Sequence, residues 1–338
     1  MMLQQTQVDR VIPYFQNWLR VFPEVTAVAR ADQDAVLKAW EGLGYYSRAR
    51  NIHQAAQTIC TGFSGHFPQD VRTLLTLPGI GPYTAAAIAS LAFNRPEPVV
   101  DANVRRVMAR LLDIDTPVTA TKANKHIQAT LADLIPSGKS RSFSQAVMEL
   151  GALVCLPRDA KCPSCPWAWY CRSLLHHRVD QRPVLPKKAA STRIQVSAGV
   201  LMDAGRILIQ KRPPKGLMAN LWEFPGGKLD SGEKPEEALI REFQEELELS
   251  IRVQDKITVI KHSYTRFRVT LHVFWCALDT PGQKPVLHAA SDLRWLRPEE
   301  LTHYPFPAAD RRLIQELSGK PLDGGLWPRA GQDQREVM

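Results

Sequence analysis

Apolar positions recur at helical spacing through the first half of the chain, near residues 4–21, 32–41, 48–61, 83–93, 101–112, 121–135 and 142–154. FPEV, FPQD, LPGIGP and RPEP punctuate these stretches with Pro and Gly, and strand-like alternation is nearly absent. The opening MMLQQTQVDRVIPYFQNWL reads as a helix already under way at residue 1, with Leu3, Val8, Val11, Ile12 and Phe15 on its apolar side. No Ser, Thr, Asp or Asn precedes it as a cap. Residues 179–196, VDQRPVLPKKAASTRIQV, are basic and contain prolines, as a linker does. The character then changes. VSAGVLMD, RILIQKR, ITVIKHSY, RVTLHVFWCAL and DLRWL alternate as strands, with helices at 235–248 and about 308–318. Residues 321–338, rich in Gly, Asp, Gln and Arg, form a frayed tail.

The pattern therefore predicts a multidomain chain: an all-α domain over 1–178, a linker over 179–196, an α/β domain over 197–320 and the tail. A length of 338 residues gives room for two or three domains. The net charge of +9 is unevenly placed, with +6 on 1–178, +3 on 179–196 and zero on 197–338. Excess positive charge on the helical part fits a polyanion, because phosphate contacts dominate nucleic-acid affinity. A basic soluble enzyme is the alternative. No apolar run approaches a membrane span and no signal-peptide pattern is present, so the expectation is a cytoplasmic, nucleoid-associated monomer.

Four of the six cysteines, Cys155, Cys162, Cys165 and Cys171, lie within seventeen residues in CLPRDAKCPSCPWAWYC. A reducing cytosol argues against a disulfide framework there. Four closely spaced thiolates suit either a tetrahedral zinc or an iron–sulfur cluster, which spacing alone does not separate. Cys60 and Cys276 read as small buried hydrophobes. LPGIGPYTAAAIASLAF joins two helices through Gly79 and Gly81, and Pro82 suits the first turn of the second helix. Helix N–H groups there favour an anion. Asp101, in PVVDANVRRVMARLL, begins a further helix.

The order of hairpin, Asp and cysteine loop resembles the helix–hairpin–helix superfamily of DNA glycosylases, and the cysteine spacing resembles the [4Fe–4S] loop of its endonuclease III branch. That resemblance implies a phosphate-binding hairpin, a cluster with no part in bond cleavage, and Asp101 supporting C1′ as the base leaves. Lys161 falls within the cluster loop. Tyr83 stands where strand-nicking members carry a lysine, so Schiff-base chemistry has no amine. MLQQTQV and GLGYYSRARN narrow the resemblance to the MutY family of adenine DNA glycosylases, which act opposite 8-oxoguanine in double-stranded DNA. It implies that Gln4 and Tyr45 wedge into the duplex, that Gln145 lines the adenine pocket, and that Tyr83 and Asn103 flank Asp101. In that family a Glu two positions before MLQQTQ protonates the adenine. The expectation is thus a natural start further upstream, and a slow enzyme as written, since losing a general acid costs roughly 10²- to 10⁴-fold.

Residues 226–249, GGKLDSGEKPEEALIREFQEELEL, place Glu242, Glu245 and Glu246 on one helical face. Three crowded carboxylates repel one another unless a cation such as Mg²⁺ lies among them. Arg241 can pair with Glu237 or Glu245, and a solvated acidic face is the plain alternative. The stretch resembles a Nudix box, with Glu248 where that pattern has Gly. MutY-family proteins carry such a domain, related to the 8-oxo-dGTP hydrolase MutT, to inspect 8-oxoguanine. HSYTRF then implies lesion contacts by Tyr264 and Thr265, with Arg266 replacing a His. Three readings result: an adenine glycosylase, a Nudix hydrolase of 8-oxo-dGTP, and a non-catalytic lesion binder.

Overall fold

The computed structural model describes the chain except residues 5, 187–191, 265, 266 and 319–338. The chain folds as two compact units. One is Gln54–Lys188 with Met1, and the other joins Met2–His53 to Ala189–Met338. The segment expected as one domain, 1–178, is thus shared between the two. The tail over 321–338 lies outside the described residues, and no described helix is long and apolar enough to cross a membrane.

Helices α1 (Val8–Val21), α2 (Val25–Arg30), α3 (Gln33–Ala39) and α4 (Ser47–Gly62) open the chain. The first begins later than its apolar pattern predicts. Residues 2–4 form a turn, and their carbonyls face a side chain rather than a helical ladder: Arg48 Nη1 donates to Met2 O at 3.0 Å and to Gln4 O at 2.6 Å. On α1 only Val11 and Trp18 are buried, while Leu3, Val8, Ile12 and Phe15, expected on its packed side, are exposed.

In the first unit α5 (Val71–Leu74) leads through the Gly79 turn into α6 (Pro82–Ala87), which continues as a π-helical turn over Ile88–Ala92. Then follow α7 (Ala102–Leu111), α8 (Thr121–Leu134) and α9 (Ser140–Glu149), the last running into a second π turn at Leu150–Val154. A short α10 (Arg172–Leu175) closes the cysteine segment. Val104, Val107 and Met108 of α7 pack with Ile127 and Leu131 of α8 and Val147 of α9 to form the core. Three hydroxyls in that unit satisfy one another, Ser90 Oγ lying 3.0 Å from Ser140 Oγ and 2.9 Å from Ser144 Oγ. Residues 179–184, expected as linker, are held to this unit: Val118 N donates to Val184 O, and Arg182 pairs with Asp113 at 2.9 Å.

The second unit carries a mixed sheet of β1 (Thr192–Asp203), β2 (Arg206–Lys211), β3 (Trp222–Glu223), β4 (Gly226–Lys228), β5 (Ile251–Tyr264), β6 (Phe267–Leu278) and β7 (Asp292–Leu296). Its order is β3-β2-β1-β6-β5, with β4 on β1 and β7 on β2. Among the described residues only β1 and β6 run parallel. The strand β1 starts inside the expected linker, because Thr192–Val196 pair with Phe267–Leu271. Helix α11 (Pro235–Leu247) covers one face through Leu239, Phe243 and Leu247. Helix α12 (Ala308–Ser318) covers the other through Leu313, Ile314 and Leu317.

The N-terminal helices join this unit through polar contacts. Asp34 accepts from Lys211 Nζ at 2.7 Å and Trp222 Nε1 at 3.1 Å, and Glu41 accepts from Phe306 N at 3.0 Å. Tyr46 OH donates to Phe306 O, and Arg50 to Ala219 O at 2.8 Å.

Asp310 of α12 is buried, accepting from Phe224 N at 3.3 Å near Glu223. Burial, with the nearby Glu223 adding to it, pushes its carboxyl up to about 7. The folded chain then holds a proton that the unfolded chain releases near pH 4, so this group lowers stability as pH rises from about 4 to 7 and holds the loss above. Asp310→Asn keeps an acceptor for Phe224 N–H. In urea titrations its gain over the wild type should be absent near pH 4 and grow by roughly 1.4 kcal/mol per unit at most up to pH 7.

Candidate active site and nucleic-acid interface

In the first unit the hairpin packs Leu77 and Ile80 inward, and Ile80 N donates to Leu77 O at 3.1 Å. Gly79 takes a φ of 72°, which a side chain resists, and Gly81 leads into Pro82 at the start of α6. Both glycines are exposed, so the backbone here is open to a phosphate. Thr84, Ala85 and Ala86 bury the opposite side of the helix.

Asp101 caps α7, Oδ1 accepting from Val104 N at 2.6 Å. Tyr83 is near enough that the Asp101 charge acts on it: burial first, then that carboxylate, holds its phenol above the ordinary value. Asn103 lies in the first turn of the helix. Its Oδ1 accepts from Arg106 Nη2 at 3.0 Å, and the same nitrogen donates to Gly151 O at 2.6 Å. Arg106 Nε reaches Cys155 O at 2.8 Å. Asp101, Tyr83 and Asn103 are therefore gathered around the start of α7. Gln145 is exposed on α9.

The cysteine segment is tied to the same helix. Arg110 is only 2 % exposed. Its Nη1 donates to Cys155 Sγ at 3.4 Å and Leu156 O at 2.6 Å, and its Nε to Val179 O and Arg182 O. Cys155, Cys162, Cys165 and Cys171 line one small cleft. Burial raises the Cys162 and Cys171 thiols, and the other cysteines add to the rise in both. Such mutual repulsion suits a cationic group held in common. Among the described residues no three His, Cys, Asp or Glu side chains stand together as ligands of one metal ion. An all-thiolate set around one cleft is a donor set that both zinc and iron–sulfur clusters take. Cys276 is a buried hydrophobe as expected, burial pushing its thiol up to about 12, whereas Cys60 is only half-buried.

In the second unit a cleft of about 540 Å³ brings three of the singled-out motifs together. Tyr45 and Ser47 line it with Thr6, Gln7, Met218, His262 and Ser263. His262 and Ser263 open HSYTRF; the side chains of Tyr264, Thr265 and Arg266 lie outside the described residues. Arg48 was not singled out in the sequence, yet it holds both Gln4 and the turn before Tyr45. Only its spacing within GLGYYSRAR could have marked it.

On α11, Arg241 takes Glu233 with Nε at 2.9 Å and Nη2 at 3.0 Å. Its Nη1 alone serves Glu242 and Glu245, each at 3.1 Å. Glu246 accepts from Gln210 Nε2 at 3.0 Å. Burial, opposed by Arg241, raises the Glu242 carboxyl, and Glu246 and Glu245 add to the rise. Gly227 lies beside it, and a Cβ there would displace the flexible tip of Glu242. Of the two partners expected for Arg241, Glu245 is the one it meets; Glu237 instead accepts from Lys234 N at 3.2 Å. Glu248 takes a φ of 53° at the helix end, where a glycine is unstrained.

Comparison with known proteins agrees with this arrangement. Residues 1–136 match the model of the HhH-GPD superfamily base excision DNA repair protein, and residues 197–316 match that of the NUDIX domain. The adenine DNA glycosylase of Mus musculus is 33% identical over 93% of this chain and 69% of its own length. That of Homo sapiens is 31% identical over 94% of this chain and 67% of its own. The chain belongs to the adenine DNA glycosylase family. Another member, from Buchnera aphidicola subsp. Baizongia pistaciae, is 35% identical over 66% of this chain and 64% of its own length. Among solved structures, a thermostable thymine-DNA glycosylase is 26% identical with a TM-score of 0.48 over 52% of this chain and 81% of its own.

In this glycosylase-family chain Gly151 is the point where the cysteine arm meets the helix of Asp101. An added Cβ would lie 2.7 Å from Asn103 Cβ and 3.1 Å from its carbonyl. Backbone cannot yield as a flexible side-chain tip does. Gly151→Ala should destabilise the chain by about 1–3 kcal/mol in chemical denaturation, the usual cost of overpacking.

Proposed function

We propose that this chain removes adenine paired with 8-oxoguanine in double-stranded DNA, hydrolysing the N-glycosidic bond without nicking the strand. The reading rests first on Asp101, a carboxylate fixed by its cap bond and neighboured by Tyr83. When the bond breaks, its electron pair leaves with the purine and positive charge develops at C1′. A fixed carboxylate beside that carbon stabilises the charge more in the transition state than in the substrate. Water then adds at C1′, and the proton it loses is balanced by the one the departing adenine anion takes up. Tyr83 offers a hydroxyl rather than an amine, so no Schiff base forms with the sugar. Gly79 and Gly81 would hold a phosphate, and Gln145 would line the adenine pocket.

Gln4 and Tyr45 would enter the stack on the 8-oxoguanine side, with Tyr264 and Thr265 completing that recognition after His262 and Ser263. Opening a base step for an extruded nucleotide costs a few kcal/mol, which such wedges offset. Cys155, Cys162, Cys165 and Cys171 would hold a [4Fe–4S] cluster, which supplies a rigid closure of the segment and no bond-breaking chemistry. Asp101→Asn keeps the cap acceptor and removes the charge. It should abolish adenine release from an 8-oxoguanine:adenine duplex in single-turnover assays while retaining duplex binding. Unchanged release overturns the reading, and binding without release by the wild type supports a lesion binder instead.

A second reading, Mg²⁺-dependent hydrolysis of a nucleoside triphosphate such as 8-oxo-dGTP, is favoured by one observation. Arg241 holds Glu233 with two nitrogens but Glu242 and Glu245 with only one. A divalent cation could displace Nη1 and leave the Glu233 pair intact, with Glu242, Glu245 and Glu246 as its ligands. As placed, these carboxylates do not form a metal site. If the reading holds, 8-oxo-dGTP hydrolysis should require Mg²⁺ and disappear in Glu245→Gln, with adenine release preserved. No hydrolysis by the wild type removes this reading and leaves the first standing.

A further inference from the structure

The turn that presents Tyr45 is held in an unfavourable shape. Tyr45 has a φ of 49°, in the left-handed region, and is 46% exposed at the cleft. A non-glycine residue there costs on the order of 1–3 kcal/mol and persists only where its surroundings over-determine it. Arg48 supplies the surroundings. Its Nη2 donates to Leu43 O and Gly44 O, both at 3.1 Å, and its Nη1 to Met2 O and Gln4 O. Its guanidinium carbon lies 5.0 Å from the Trp40 ring centroid and 5.6 Å from that of Tyr45. Trp40 Nε1 adds a bond to Gly44 O at 3.0 Å. At 7 % exposure, the cation is stacked and enclosed rather than solvated.

Two chain segments are thereby joined through one side chain. The first, residues 2–4, runs directly into Thr6 and Gln7 of the cleft lining; the second, Leu43–Ser47, lines it too. We infer that Arg48 is a positioning residue for lesion discrimination: its planar fork locks the Gln4 segment and the Tyr45 turn into one preset wall. A base opposite the extruded adenine then meets a wall that needs no ordering on contact, which is where selectivity arises. The inference rests on the reading of this cleft as the 8-oxoguanine side. A lysine cannot replace the arginine here. Its ammonium directs three donors from one atom and lacks the flat face that stacks between Trp40 and Tyr45.

The test measures binding by fluorescence anisotropy to two duplexes carrying a non-hydrolysable 2′-fluoro-adenosine, opposite 8-oxoguanine in one and guanine in the other. The wild type should prefer the first. Arg48→Lys should lower that preference about ten-fold, the scale expected when positioned groups shift by a fraction of an ångström. Its affinity for the guanine duplex and its thermal midpoint should change far less. Arg48→Met, which also removes the charge, should lower the preference at least as much; if it does not fold, Arg48→Lys decides. Preference at the wild-type level in Arg48→Lys overturns the inference. So does a parallel fall of both affinities with the thermal midpoint, which would mark a merely structural role. A wild type without preference overturns the reading of the cleft itself, and the inference with it.

Discussion

The helical unit depends on how α7 satisfies its two inward-reaching arginines. A buried guanidinium presents five N–H donors, and each one left without an acceptor is costly. Arg106 and Arg110 resolve this by turning to backbone carbonyls: Gly151 O, Cys155 O, Leu156 O, Pro157 O, Val179 O and Arg182 O. These acceptors belong to the arm before the cysteine loop, to the loop's first residues and to the segment after it. The same helix begins at Asp101. Holding the loop and aiming the carboxylate are consequently one structural task, and a change in the loop reaches the carboxylate through a single rigid element.

Arg48 and Arg241 apply the same physics elsewhere. Arg48 gathers carbonyls from a turn and from the chain's first residues, whereas Arg241 gathers carboxylates along α11. In both cases the fork geometry matters more than the charge, since one planar group must reach partners on two sides. Arg48 binds neutral acceptors and stacks on rings, so it fixes shape. Arg241 binds acids, so it sets how much of their charge remains available to anything else.

Periodicity in the sequence located the long elements well because their buried faces repeat. The helices at 102–111 and 121–134 and the strands β1, β2, β5, β6 and β7 fall where their apolar patterns place them. Elements of two or three residues such as β3 and β4 are too short to carry a period, and the π turns at 88–92 and 150–154 share the helical pattern. The start of α1 was misread for a different reason. Leu3 continues the apolar spacing, yet the carbonyls of Met2 and Gln4 accept from Arg48 rather than from a helical turn. Asp101, Tyr83 and Asn103 were legible as a motif, and the Asp101 charge does reach Tyr83. Arg48, Arg106 and Arg110 were not, because an arginine in a helical pattern is ordinarily assigned to water, and nothing local announces that its partners are carbonyls far along the chain.

The acidic helix sharpens the contrast between pattern and environment. The Glu242 carboxylate lies against Gly227 of β4, and only that flexible side-chain tip would have to move for a larger residue. Glu248 stands in a left-handed position that glycine would occupy without strain, and His288 braces it at 2.6 Å. Because three of the acids already share one guanidinium, the local field that the helix presents is set by how firmly Nη1 of Arg241 keeps Glu242 and Glu245.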